Sequence, residues 1–231
     1  MALVYIKEVC EGVRMGLWRM DEEPVELLVR YPHLRRLPMA FKSVARQKEF
    51  LCVRALLLEM SGDDSLCIDH EASGRPVICG GKQSPDSRWP VSISHTQGYA
   101  VLMLSQPASA ALRQPAAVGV DIEYRSDRIL KIASHFIRPD EMVWDSGSPT
   151  AADVEQMLIL WCAKETLYKL HSDDNLHFSD MRRVAAAVPV RRGEEQCADR
   201  LMTLENMKRG ERVTVHVTLT PEYCLTWAVR P

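Results

Sequence analysis

The chain has 231 residues, 46% of them hydrophobic and 26% charged, with a formal net charge of −2. That is enough to bury a core in one large domain or two small ones, and it excludes a disordered polyelectrolyte. The near-neutral balance excludes a surface coated in phosphate contacts, and no apolar run approaches the roughly 20 residues that span a bilayer, so neither nucleic acid nor membrane is expected as a partner.

In chain order, residues 2–10 read as a strand, and Asp21–Tyr31 as a short helix with Pro24 in its first turn. Ala40–Met60 reads as a longer helix, with Phe50, Leu51, Arg54, Leu57 and Leu58 at helical spacing and Ser61-Gly62 as its stop. Strand-like pieces follow at Pro76–Ile78, Val91–His95 and Tyr99–Leu104, the last two joined across Gln97-Gly98. Gln106–Ala116 is rich in Pro and Ala and reads as a linker, dividing the chain into residues 1–115 and 116–231. The second half opens with a strand over Ala117–Glu123. Helices are expected at Ile129–His135, Pro139–Trp144 and Ala151–Leu170, and strands within Phe178–Pro189, at Glu211–Leu219 and at Tyr223–Val229. Helices and strands do not alternate as βαβ units, so the expected class is α+β. The seven cysteines are scattered and never in CxxC spacing, and Met1–Glu8 lacks the pattern of a secretory leader. Reduced thiols in a cytoplasmic protein are expected rather than a zinc site or a disulfide framework.

Asp121 and Glu123 lie two apart on a strand, so both carboxylates project from one face. Side-by-side carboxylates repel and call for a cation or a proton. The strand is otherwise apolar, although an isolated D-x-E is common, and Gly119 would let a bulky ligand approach the backbone. On the helix Ala151–Leu170, residues Val154, Leu158, Trp161, Glu165 and Tyr168 share a stripe, which puts Glu165 in the middle of an apolar face. A carboxylate there needs a metal, a cation or a proton; the simpler alternative is a surface pair with Lys169 at i+4. Three carboxylates on one hard cation suit magnesium, and Lys164 and Lys169 on either side of Glu165 suit a polyphosphate. Arg46 and Arg54 on the long helix, Arg75 in a Gly-Arg-Pro loop and His95 after Ser94 at a strand end can hold phosphate or merely reach solvent.

Gly119-Val120-Asp121-Ile122-Glu123 and Trp161-Cys162-Ala163-Lys164-Glu165-Thr166-Leu167-Tyr168-Lys169 resemble the two signature motifs of the Sfp-type 4'-phosphopantetheinyl transferases. The match fails only at Thr166, where Ser or Ala is usual. Residues 46–54 resemble the early helix of the enterobactin-synthetase-like subgroup. Gly74-Arg75-Pro76, the Ser92–His95 segment and Phe136–Glu141 resemble further family elements in the same order. The resemblance spans residues 40–170, and the insertion at 106–115 is longer than expected.

It implies two similar subdomains related by pseudo-twofold symmetry, each a small, mainly antiparallel sheet with packed helices, with coenzyme A in the cleft between them. It implies that Asp121, Glu123 and Glu165 hold Mg2+ on the pyrophosphate and that Lys169 stabilises the leaving group. Arg46, Arg54, Arg75, Ser94, His95 and Lys164 would surround the nucleotide and phosphates, and Glu141 would be a general base or a magnesium-water ligand. The implied reaction is that of a holo-[acyl-carrier-protein] synthase: phosphopantetheine moves from coenzyme A to a serine of an apo acyl or peptidyl carrier protein, releasing 3',5'-ADP. Arg182-Arg183 and Arg191-Arg192 would offer docking charges to an acidic carrier or simply be solvated. A pseudo-dimer in one chain makes a monomer the default. Two other readings stay open: another magnesium-dependent phosphotransferase or hydrolase, and a non-catalytic coenzyme A or carrier-protein binding module.

Overall fold

The structure, a computed structural model, describes residues 2–82, 88–106, 115–141, 148–189 and 198–230. The chain divides into two compact units, Met1–Val118 with Arg230–Pro231, and Gly119–Val229. The class is α+β, with two sheets and four α-helices among the described residues. No helix of the described residues is long and apolar enough to cross a membrane.

In the first unit, strands β1 (Leu3–Cys10), β2 (Val13–Arg19), β3 (Cys67–His70), β4 (Pro76–Cys79), β5 (Arg88–Thr96) and β6 (Tyr99–Ser105) form one sheet in the order β1-β2-β6-β5-β4-β3. Its neighbours run antiparallel. The β5–β6 hairpin closes Thr96 on Tyr99 around Gly98, whose φ of 79° suits a residue without Cβ. Helix α1 (Pro24–Arg30) starts on proline, and α2 (Val44–Ser61) ends at Gly62 in the left-handed conformation, the stop expected from Ser61-Gly62. Leu51, Leu56 and Met60 of α2 join Trp18, Ile78 and Leu102 in the core. Gly16 on β2 admits this helix, since a Cβ there would lie 2.7 Å from Leu56 Cδ1.

The second sheet contains β7 (Ala117–Tyr124), β8 (Met181–Pro189), β9 (Ala198–Asn206), β10 (Glu211–Leu219) and β11 (Tyr223–Arg230), in the order β7-β11-β10-β9-β8. The pairs β8–β9, β9–β10 and β10–β11 are antiparallel. Helix α4 (Ala151–Leu170) coincides with its expected span because Thr150 and Asp153 form a reciprocal capping box at its start. It packs on β8, β9 and β10.

Three strands escaped the sequence reading: β2, β3 and β9. The expected helix at Ile129–His135 is a 3-10 turn, Asp127–Lys131, followed by one turn of α3 (Ala133–Phe136). The expected helix at Pro139–Trp144 is a 3-10 turn at Pro139–Glu141, and its remainder lies outside the described residues, as do most of the Gln106–Ala116 linker and Arg191-Arg192.

Candidate active site

In the second unit, β7 carries Asp121 and Glu123, and α4 carries Glu165 and Lys169. Glycine explains how strand and helix approach. A Cβ on Gly119 would sit 2.4 Å from the Thr166 carbonyl oxygen and 3.0 Å from Leu170 Cβ. The open position expected to admit a ligand is therefore filled by the helix itself. Thr166 secures the other side: its hydroxyl lies 2.7 Å from the Thr226 hydroxyl on β11, and Thr226 Oγ1 donates to the Cys162 carbonyl at 2.8 Å. The one departure from the motif is thus a buried hydroxyl with a partner.

This packing brings the acidic residues and one lysine together. Lys169 Nζ donates to Asp121 Oδ1 at 2.7 Å and to the Val120 carbonyl at 3.1 Å. Lys169 thus pairs across to the strand rather than simply with Glu165 one turn away. Asp121 is 4% exposed, and Glu123 and Glu165 are half-buried. Trp161 Nε1 donates to Glu123 Oε1 at 2.8 Å, its indole held against Phe136 and Phe178 with centroids 5.1 and 5.2 Å away.

Burial pushes the Glu165 carboxyl up to about 7, and the charges of Asp121 and Glu123 push the same way, while Lys169 opposes them. Burial also raises Glu123, with Asp121 adding to it and the Trp161 hydrogen bond opposing it. Glu123 thus feels the charge of Asp121, and Glu165 that of both. Among the described residues, however, no group of three or more His, Cys, Asp or Glu is gathered as a finished metal site.

The stripe argument needs correction. The fully buried face of α4 carries Ile159, Leu160, Ala163, Leu167 and Leu170, whereas Tyr168 is 46% exposed and Glu165 lies at the border. The charge inside the unit is Lys164, at 0% exposure, whose ammonium donates to Glu141 Oε2 at 2.6 Å and to the Phe136 carbonyl at 2.8 Å. Burial lowers the Lys164 proton affinity and Glu141 restores part of it. Glu141, itself 1% exposed, also accepts from the backbone N–H of Arg138 at 3.0 Å and of Arg183 at 2.6 Å. Both its oxygens are engaged in tying α4, β8 and the 139–141 turn together. Neither Lys164 nor Glu141 faces solvent, where a phosphate or a hydroxyl would arrive. Arg182 pairs with Glu205, and Arg183 Nη2 donates to the Glu141 carbonyl at 3.1 Å.

The remaining candidates lie in the first unit. Arg46 Nη1 donates to Glu49 Oε2 at 2.9 Å, and His95 Nδ1 lies 3.5 Å from the other oxygen of Glu49. Glu49, which sequence reasoning missed, thus links Arg46 to His95; its i+3 spacing from Arg46 was the available signal. Arg54 donates to the Phe50 carbonyl and stacks 3.4 Å from the centre of the Phe50 ring. Ser94 is buried on β5 opposite Val101, and Arg75 is in the β3–β4 turn after Gly74, whose φ is 85°. Trp161 was assigned to an apolar stripe, and its role as donor to Glu123 was not foreseen.

Residues 117–226 match the family model of the 4'-phosphopantetheinyl transferase superfamily. The match takes in Asp121, Glu123, Glu141, Lys164, Glu165 and Lys169, and leaves out Arg46, Arg54, Arg75, Ser94 and His95. No curated protein matches the chain.

Proposed function

We propose that this protein transfers the 4'-phosphopantetheine arm of coenzyme A to a serine of an apo acyl or peptidyl carrier protein, releasing 3',5'-ADP. The observation that carries this reading is the meeting of Asp121, Glu123, Glu165 and Lys169 where β7 and α4 touch. The match over residues 117–226 supports phosphopantetheine transfer. The resemblance of residues 46–54 to the early helix of the enterobactin-synthetase-like subgroup favours that subgroup.

The donor set fits magnesium. It is all oxygen, as that ion prefers. Three ionised carboxylates with one ammonium leave a net charge of −2, the complement of a divalent cation. Burial and mutual repulsion hold two of the carboxyls above their ordinary range, so a cation would relieve the site. Asp121, Glu123 and Glu165 would hold the ion, which when bound supplies Lewis acidity at the pyrophosphate.

The chain's own residues do the rest. Trp161 fixes the Glu123 carboxylate and Gly119 sets the distance between strand and helix. A carboxylate of the site would accept the serine proton once the hydroxyl is placed beside it. The serine oxygen then attacks the β-phosphorus of coenzyme A, and Lys169 stabilises the negative charge on the departing 3',5'-ADP. Arg46 and His95, oriented by Glu49, together with Arg54, Arg75 and Ser94, would serve the nucleotide and its 3'-phosphate. Lys164 and Glu141 act as a positioning pair beneath Glu165. The reduced thiols suit a cytoplasmic enzyme, and two units in one chain make a monomer the default.

Mass spectrometry of several apo carrier proteins incubated with coenzyme A, Mg2+ and the protein tests this. The expected result is a phosphopantetheine-sized mass increase on at least one carrier, absent when EDTA replaces Mg2+. If coenzyme A is cleaved while every carrier stays unmodified, a magnesium-dependent hydrolase is the correct reading instead. If neither product forms, transfer is refuted.

A further inference from the structure

At the edge of the first sheet, β3 and β4 form a short hairpin in which Cys67 faces Cys79 in register. Their Sγ atoms are 2.9 Å apart, inside the ordinary contact distance of two unbonded sulfurs. Cys67 is exposed and Cys79 half-buried. Twelve residues separate them, so no short-spacing motif marked the pair.

Two surroundings distinguish Cys67. It lines a cavity of about 550 Å³ shared with Phe50, Arg54 and Leu57. The Arg54 guanidinium in that wall is largely desolvated, which lowers its proton affinity, and the charge of Cys67 acts to restore it. Arg54 and Cys67 thus share one cavity wall within electrostatic reach of each other, and the thiolate is the form of a cysteine that attacks disulfides. For Cys79, burial and the adjacent Cys67 push the thiol up to about 11, so it is the sulfur of the pair that holds its proton more tightly than a free thiol.

We propose that Cys67 and Cys79 form a thiol–disulfide exchange site for small-molecule disulfides, with Cys67 as the attacking sulfur and Cys79 as the resolving one. In the first step the Cys67 thiolate forms a bond to one sulfur of the small disulfide, and the other sulfur leaves as a thiolate. In the second, Cys79 sulfur attacks Cys67 Sγ, forming the Cys67–Cys79 bond and expelling the second small thiolate. The protons lost by the two cysteines end on the two released thiols; the protein pair is oxidised and the small disulfide reduced. The product staples an edge hairpin beside the cavity.

Oxidised glutathione is the probe. The full-length protein is exposed to it, quenched by alkylation at successive times, digested and mapped by mass spectrometry. Cys10, an exposed thiol at the end of β1, serves as the internal reference. The expected result is a peptide joined through Cys67 and Cys79 that forms about tenfold faster than the mixed disulfide at Cys10 and is reversed by dithiothreitol. With Cys79→Ser, glutathione accumulates on Cys67; with Cys67→Ser, Cys79 stays free over the same period. The proposal is overturned if Cys67 and Cys79 are still alkylated once Cys10 is modified. It is equally overturned if Cys79 in the Cys67→Ser variant reacts as fast as Cys67 in the Cys79→Ser variant.

Discussion

Glu165→Gln separates the chemistry of the site from its stability. In the cation-free protein the Glu165 carboxyl is raised from 4.5 to about 7. Between those values the native state binds a proton that the unfolded chain has released. Stability therefore falls as pH rises from about 4.5 to about 7, and the full cost is present above that. The interval corresponds to at most about 3 kcal/mol, and partial exposure reduces it towards about 2. Glutamine keeps the shape and never ionises, so the variant should gain about 2 kcal/mol near pH 8 and nothing near pH 4.5. For a chain of this size that is a rise in Tm of roughly 4–8 °C at the higher pH. Thermal and urea unfolding in EDTA across this pH range provide the measurement. Added Mg2+ should narrow the gap near pH 8 by stabilising the parent, while the variant loses turnover. A variant no more stable than the parent near pH 8, or one that gains equally near pH 4.5, would refute the electrostatic account. Full turnover would refute the role of Glu165 in holding the ion.

Gly119→Ala places a Cβ 2.4 Å from the Thr166 carbonyl oxygen, so α4 must move away from β7; a loss of about 1–3 kcal/mol in urea unfolding and at least about tenfold in kcat is expected. Lys164→Met removes the buried ammonium from Glu141 and should cost about 3 kcal/mol, near the lower end for such pairs because two backbone N–H groups still reach the carboxylate; a loss under about 1 kcal/mol would contradict the positioning role. Trp161→Phe keeps the ring contacts but removes the N–H that holds Glu123. Its proton affinity should rise further, and the Mg2+ concentration needed for half-maximal activity should increase about tenfold with little change at saturation.

The hydrophobic spacing of α4 and the alternation along Glu211–Leu219 were legible because each is long and strongly patterned, and Tyr223–Val229 because it is a bounded run rich in apolar and β-branched residues. β3 was not, since Cys67–His70 has one partly buried apolar side chain, Ile68, and exists as a strand through pairing with β4. β2 was hidden because its burial is nearly continuous, leaving no period-2 signal. At the site, Asp121, Glu123, Glu165 and Lys169 stood out by type and spacing. Helical periodicity nevertheless assigned the buried charge to Glu165 instead of Lys164. An interval of one residue rotates a position by about 100°, and an apolar stripe that includes Trp161 and Tyr168 is a poor guide when both rings are partly solvated. The Glu141–Lys164 pair needed the tertiary fold, because twenty-three residues separate its partners.

The signature residues therefore divide by physical role. Gly119 and Thr166 set how closely helix and strand lie, and Lys164 with Glu141 anchors the helix from beneath. Only then can Asp121, Glu123 and Glu165 share one region without the fold dispersing their repulsion. Lys169 is the local counter-charge that makes the cation-free state tolerable. Its ammonium has three donors, and among the described residues two go to Asp121 Oδ1 and the Val120 carbonyl. The third is left for another acceptor. Lysine can thus hold the acidic strand and keep a donor in reserve, which is what the proposed transfer would ask of it at the leaving group.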